Sequence, residues 1–96
     1  MIRSFSNKLT EDLYHGRGTK RAGRVAHGVR RAVERKLDML EAAVRLDDLR
    51  APPGNRLEAL RGDLDGFHSI RVNDQWRIVF RWSEGGADEV RLVDYH

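Results

Sequence analysis

The chain has 96 residues, of which 40% are hydrophobic and 34% are charged, and its 18 Lys and Arg residues exceed its 15 Asp and Glu residues to give a net charge of +3. This length and hydrophobic content predict one globular domain, residues 1–96, with a single core. There is no cysteine, which excludes disulfides, thiolate metal sites and thiol nucleophiles. The modest positive charge permits a nucleic-acid partner without requiring one.

Two further absences concern the membrane. No apolar run approaches the roughly 20 residues that span a bilayer, and the first residues lack the apolar segment of a signal peptide. We therefore expect a protein that stays in the cytoplasm.

The first quarter of the chain predicts one short strand and one short helix. Residues 2–5 alternate apolar and polar side chains, which is typical of a brief strand that adds to a sheet. Leucines one helical turn apart predict a helix from Lys8 to Tyr14, with Asn7 or Ser6 as its N-cap. Residues 16–23 are basic and broken by glycines, so we expect a mobile connection there. They lack the ending of a phosphate-binding loop, which argues against nucleotide binding.

A long helix should follow. Apolar side chains recur at three- and four-residue steps, which predicts a core helix from about Ala22 to Leu46. Its other face alternates arginines with acids, several of them four residues apart. A solvated face of ion pairs is one interpretation, and a surface for a protein partner or RNA is the other. Pro52 and Pro53 cannot continue a helix, so Asp47 to Asn55 should form an ordered loop.

The C-terminal block has a period of two and predicts a three-stranded antiparallel meander. Its central strand places four apolar residues on the core side: Trp76, Ile78, Phe80 and Trp82. The other side is predicted to be an open face that exposes Arg77. Strands at residues 67–72 and 89–93 flank it, joined through Asn73-Asp74 and through a six-residue turn over 83–88. His68 shares the face of Ile70 and should be a partly buried packing residue.

The last three residues place an acid, a phenol and an imidazole at a strand end, where they could approach Arg77. A frayed end is the alternative interpretation. In a regular strand Tyr95 faces opposite to Asp94 and His96, so convergence on one site requires a twist or bend.

Several segments together resemble a known family. The matching pieces are Arg61-Gly62-Asp63, Gly66-Phe67-His68-Ser69-Ile70, the run from Asn73 to Phe80, and Asp94-Tyr95-His96. Taken together, and with a similarity that reaches back to Met1, they resemble the HigB group of the RelE/ParE toxin superfamily. The resemblance implies an α+β, RelE-like fold. Two N-terminal helices would pack on a small twisted, mainly antiparallel sheet, made of the short N-terminal strand and the three-stranded C-terminal meander.

The resemblance also implies a function. Such a toxin is an mRNA interferase that cleaves transcripts in the ribosomal A site without a metal or other cofactor. A helix-turn-helix antitoxin of the HigA type neutralises it and carries it to operator DNA. The catalytic positions implied by the resemblance fall on Arg77, Asp94, Tyr95 and His96.

One residue departs from the family pattern. Similar toxins carry a histidine where this chain has Glu58, which makes Glu58 a candidate base. The RNA-binding candidates are four further arginines: Arg61, Arg71, Arg81 and Arg91.

Metal-free RNA cleavage requires a base for the 2′-hydroxyl, an acid for the leaving 5′-oxygen and a cation for the phosphate. His96 is the natural acid or base because histidine has an ordinary pKa of about 6.5. Arg77 offers a planar fork for phosphate oxygens. Asp94 would orient His96 or an arginine, and Tyr95 would act as a base near a cation or stack on a splayed nucleobase.

Two alternatives stay open at this point. A ParE-like inhibitor of gyrase would use the same fold without a nuclease site. A degenerate toxin would only bind its antitoxin or RNA, and Glu58 is the residue that keeps this alternative open.

Overall fold

A computed structural model describes residues 1–94 of the chain. Within these residues, three helices come first: α1 (Lys8–Tyr14), α2 (Lys20–Gly23) and α3 (His27–Ala42). The same part of the chain forms one antiparallel sheet with the strand order β1 (Glu58–Ala59), β2 (Phe67–Arg71), β3 (Trp76–Ser83) and β4 (Gly86–Asp94). Short 3-10 helices occupy Leu46–Arg50, Pro53–Asn55 and Gly62–Leu64. The predicted α+β class is confirmed, with α2 and β1 as additional elements.

None of the helices in residues 1–94 has the length and apolar character needed to cross a membrane.

The first helix forms where the sequence predicts it. The side chain of Asn7 caps its start by accepting a hydrogen bond from the Thr10 backbone N–H at 3.0 Å. Buried Thr10 turns its hydroxyl toward the sheet, where it accepts from the Leu92 backbone N–H at 2.8 Å. This bond ties α1 to β4.

The predicted long helix from Ala22 to Leu46 is wrong at both ends, since α3 covers only His27–Ala42. At its C-terminal end, the carboxylate of Asp48 accepts from the backbone N–H groups of Val44 and Arg45 at 2.9 Å each. These bonds hold the chain in a 3-10 turn that still brings apolar side chains to the core. The apolar stripe therefore continues beyond the point where the helix ends.

The connection predicted over residues 16–23 contains α2 in its second half. Buried Asp12 organises this turn, because its carboxylate accepts from Arg21 Nε at 2.6 Å and from the Thr19 hydroxyl at 2.9 Å. The hydrogen bond from Arg21 lowers the pKa of Asp12, although burial acts in the opposite direction. An ion pair between segments thus replaces the mobile loop expected from composition.

Residues 2–5 join the sheet as predicted, although through two isolated parallel bridges rather than a continuous strand. Ile2 bridges Ala87, and Phe5 bridges Val90. The backbone N–H of Val90 donates to the Ser4 carbonyl at 3.0 Å. This pairing covers the outer edge of β4, which would otherwise offer unpaired backbone groups to other chains.

The strand β4 begins at Gly86, earlier than the predicted start at Glu89. The turn before it is a tight one, in which Glu84 and Gly85 adopt φ angles of +47° and +76°, as two-residue hairpin turns require. Glu89 has φ +53°, and the register of β3 and β4 shifts between Val79 and Arg81, opposite this residue. The extra residue of this bulge interrupts the alternation on which the prediction relied.

The core lies between the helices and one face of the sheet. Its fully buried members include Val33, Leu37, Leu40, Ile70, Ile78, Phe80 and Val90. Trp76 and Trp82 pack against it, as predicted. His68 stacks on Phe80 with ring centroids 6.2 Å apart, which confirms it as a packing residue, and burial lowers its pKa.

Candidate functional site

The opposite face of the sheet collects arginines from three strands. In the register, Arg71 is the partner of Arg77, Phe67 is the partner of Arg81, and Val79 is the partner of Arg91. Residues directly opposite each other in an antiparallel pair project to the same side. We call this surface the arginine face; its polar members are Glu58, Ser69, Arg71, Arg77, Arg81 and Arg91.

The centre of the arginine face is covered, so the predicted exposure of Arg77 is wrong: only 7% of the residue is accessible. The covering segment is the irregular chain that leads into β1. The strand β1 itself was not predicted from the sequence. Glu58 of β1 pairs with Ser69 of β2, and Arg56 just before it adopts a left-handed φ of +45°. Alternation assigns a side chain to a face, but it does not say whether another segment lies over that face.

Within residues 1–94, the guanidinium of Arg77 contacts a hydroxyl, a carbonyl and a carboxylate. Its Nε donates to the Ser69 hydroxyl at 2.9 Å, and its Nη2 donates to the Arg56 carbonyl at 2.8 Å. Its Nη2 also lies 3.6 Å from a carboxylate oxygen of Glu58. A buried guanidinium keeps its charge and therefore requires such partners. The site thus contains a cation whose position is set by β2 and by the segment before β1.

Glu58 lies beside Arg77, as a candidate base at this site must. Its side chain is 45% exposed, so solvent and a ligand can both reach the carboxylate. Arg61 is exposed three residues further along the chain, beyond the end of β1. The structure therefore brings Glu58 and Arg77 together and leaves Arg61 at the surface.

The end of β4 runs alongside the strand that carries Arg77. Val93 is the register partner of Arg77, and Asp94 is the partner of Trp76. This register assigns Asp94 to the same side of the sheet as Trp76, opposite to Arg77. The exposed carboxylate of Asp94 accepts a hydrogen bond from the Gln75 side-chain amide at 3.2 Å. Tyr95 and His96 lie outside the described residues. Their convergence with Arg77 stays a prediction.

The remaining strand arginines differ in their surroundings. Arg71 is ion-paired with Asp74 across the β2–β3 turn. Arg81 lies over the Phe67 ring, 4.5 Å from its centroid, and its Nε is 3.4 Å from Glu89.

Arg91 is half-buried, and within residues 1–94 its buried Nε makes no hydrogen bond. A buried donor without a partner is uncommon in folded proteins.

Residues 1–94 contain no group of three or more His, Asp or Glu side chains that could hold a metal ion.

Comparison with known proteins decides the family. Residues 3–96 match the HigB-like toxins, described as RelE-like toxins of the type II toxin–antitoxin system HigB. This chain belongs to the HigB-like toxin family. It is 44% identical over 87 residues to "Toxin HigB-1" of Vibrio cholerae, which covers 91% of this chain and 90% of that protein. It is 33% identical over 96 residues to "Endoribonuclease HigB" of Proteus vulgaris, which covers 100% of both.

Solved structures place this HigB-like toxin in the predicted fold. The YoeB-YefM complex from Staphylococcus aureus contains a chain with a TM-score of 0.62 and 14% identity, covering 100% of this chain and 98% of that one. A mutant of YafQ from E. coli gives a TM-score of 0.56 and 13% identity, covering 98% and 93%. At such identities the likeness shows the fold alone, and it confirms the RelE-like architecture.

Sequence reasoning missed two residues that hold Arg77 in this HigB-like toxin. Ser69 carried a usable signal, because it is a small polar residue in the middle of a predicted strand and lies on the same side of that strand as Arg71. Arg56 carried none, because a left-handed conformation is uncommon for arginine and only the folded chain reveals it. Both residues contribute a neutral acceptor, the hydroxyl of Ser69 and the backbone carbonyl of Arg56.

Proposed function

We propose that this toxin is an endoribonuclease that cleaves mRNA in the ribosomal A site without a metal ion. The observation that carries the proposal is the position of Arg77. It is held on the arginine face, 3.6 Å from Glu58, and its strand partner is Val93, one residue before the Asp94-Tyr95-His96 end. The relationship to "Endoribonuclease HigB" of Proteus vulgaris supports the same activity.

The residues divide the chemistry as follows. Arg77 stabilises the negative charge that grows on the phosphate, and its partial burial strengthens this interaction because little water screens it. Glu58 accepts the proton of the 2′-hydroxyl, which then attacks the phosphorus. His96 donates a proton to the leaving 5′-oxygen. Asp94 orients His96, and Tyr95 stacks on a base beside the scissile bond or takes the role of base in place of Glu58.

The other arginines bind the RNA backbone on either side of the scissile bond. Arg81 and Arg91 lie on the central and outer strands, Arg71 lies at the strand end near Arg77, and Arg61 stands beyond β1. Because Arg71 and Arg81 each contact an acid, phosphates must compete with Asp74 and Glu89. Such competition favours a polyanion presented at high local concentration, as on a ribosome.

We further propose that the toxin acts in the cytoplasm and is neutralised by a HigA-like helix-turn-helix antitoxin, through which the complex reaches operator DNA. The family is defined by type II toxin–antitoxin pairs, which supports an antitoxin partner.

The test uses purified toxin, ribosomes programmed with a defined mRNA, and mapping of both product ends. Attack by the 2′-hydroxyl leaves a 2′,3′-cyclic phosphate and a 5′-hydroxyl, whereas attack by metal-activated water leaves no cyclic phosphate. We expect the cyclic end and cleavage only with ribosomes present. The Arg77→Lys variant should be slower by about 10²- to 10³-fold, because lysine cannot reproduce the planar fork.

His96→Ala and Tyr95→Ala should abolish the growth arrest that the induced toxin causes. Intact transcripts together with inhibited gyrase supercoiling would refute the proposal in favour of a ParE-like inhibitor. Intact transcripts and unaffected gyrase, with tight antitoxin binding, would indicate a degenerate toxin.

A further inference from the structure

We infer that Ser69 is a positioning residue for Arg77, and this inference rests on the proposed function. Ser69 lies in the middle of β2 and is fully buried. Its hydroxyl accepts the Nε–H of Arg77 at 2.9 Å across the β2–β3 pair. This hydroxyl is therefore one of the groups that set the plane of the guanidinium.

Two acceptors on separate segments define the orientation of the fork. The Ser69 hydroxyl takes Nε, and the Arg56 carbonyl takes Nη2 at 2.8 Å. A guanidinium is planar, so two bonds along one edge fix both its plane and the direction in which its other N–H groups point. Removing the bond to Ser69 should therefore loosen the orientation of this edge of the guanidinium.

The chemistry of these acceptors explains why serine suits the position. A hydroxyl and a peptide carbonyl are neutral, so they hold the guanidinium without cancelling its charge. A carboxylate in the place of Ser69 would pair with the cation at close range and compete with an incoming phosphate. The carboxylate that is present, Glu58, lies further away at 3.6 Å and is 45% exposed. Ser69 therefore keeps Arg77 oriented while its charge stays available to the substrate.

Steady-state cleavage on programmed ribosomes, measured over a range of ribosome concentrations, tests this role. We expect Ser69→Ala to lower kcat by about 10- to 100-fold with KM changed less than about threefold, because misorientation affects the transition state more than binding. Ser69→Thr retains the hydroxyl and should recover most of the rate. The matched control is Thr10→Val, which removes another fully buried hydroxyl acceptor, the one for Leu92 N–H, and should change kcat less than about twofold.

A double variant separates positioning from a general loss of stability. If Ser69 acts through Arg77, then Ser69→Ala should slow the Arg77→Ala protein by less than about twofold. Equal losses in the wild-type and Arg77→Ala backgrounds would overturn the inference. So would a Ser69→Ala rate no lower than that of Thr10→Val.

The NMR signal of the Arg77 Nε–H gives a readout that does not depend on cleavage. In the wild type it should exchange with solvent far more slowly than the Nε–H of exposed Arg24, and Ser69→Ala should shift and broaden it while Thr10→Val leaves it unchanged. Fast exchange in the wild type would overturn the inference even if Ser69→Ala fails to fold. A wild-type toxin that shows the slow signal but cleaves no RNA would refute the proposed function instead, and the catalytic role of Ser69 with it.

Discussion

The two faces of the sheet are both closed at their centres, yet they are closed by different kinds of contact. On the core face, Phe80 and Ile78 belong to a cluster of buried apolar side chains that also includes residues of the helices. On the arginine face, Arg77 meets a serine hydroxyl, a backbone carbonyl and a carboxylate. Hydrocarbon contacts are non-directional and scale with area, whereas the polar contacts fix a direction. Contacts on the core face therefore stabilise the fold, and those on the arginine face also set the orientation of Arg77.

The largest expected effect comes from a substitution on the core face. Phe80→Ala removes a fully buried ring and should lower the free energy of unfolding by about 3–5 kcal/mol. That loss is large against the roughly 5–15 kcal/mol that stabilises a typical domain. Urea denaturation followed by circular dichroism measures it. The matched control is Phe67→Ala, a ring on the arginine face under Arg81; a loss as large there as at Phe80 would contradict the contrast between the faces.

A substitution on the arginine face should instead lower the rate of RNA cleavage. Glu58→Gln keeps the shape of the side chain but removes the base, so RNA cleavage should fall by about 10²- to 10⁴-fold. The free energy of unfolding should change by less than about 1 kcal/mol, because Glu58 is 45% exposed and the buried Arg77 keeps its bonds to the Ser69 hydroxyl and the Arg56 carbonyl. Parallel cleavage and urea titrations decide this. Glu89→Gln, an equal change of charge beside Arg81, is the control and should leave the cleavage rate within about threefold.

A smaller effect distinguishes the arginine face from the arginines of α3. Arg81→Ala should weaken RNA binding and reduce the slope of log affinity against log salt by about 0.7, as one lost phosphate contact predicts for a single strand. Arg35→Ala, at an exposed position of α3, should leave that slope unchanged if the helix face is merely solvated. Fluorescence anisotropy at several salt concentrations measures both. A reduced slope for Arg35→Ala and an unchanged slope for Arg81→Ala would indicate that RNA binds to α3 instead.

The smallest expected effect is a pH dependence on the core face. Burial lowers the pKa of His68, so the unfolded chain takes up a proton before the folded chain does. Stability should therefore fall as the pH drops below about 6.5, the ordinary value, and level off below the lowered pKa. His68→Gln should show a shallower decline between pH 7.5 and pH 5 in urea denaturation. Identical slopes would mean that His68 does not bear on this dependence.

Local patterns predicted the parts of the fold that depend on neighbours in sequence. The Asn7 cap and the leucine spacing placed α1 at Lys8–Tyr14, and the period of two placed the core side of β3. The α2 turn could not be predicted in this way, because the bonds that stabilise it come from Asp12, on another helix.

For Arg77 and Glu58, the sequence indicated the residues of the candidate site but not their surroundings. The alternation of β3 assigned Arg77 to the correct face, yet its burial depends on Arg56, whose conformation no local pattern indicates. Glu58 was named for its place in a family motif, and its contact with Arg77 required β1 to pair with β2.

The pairing of residues 2–5 with β4 has a consequence for how the toxin is made. Ile2 and Phe5 pair with residues more than 80 positions downstream. This edge of the sheet therefore cannot form before those residues have been synthesised. Contacts this distant in sequence form late and slowly. A nascent chain therefore cannot reach its native state until β4 has been translated and has left the ribosome.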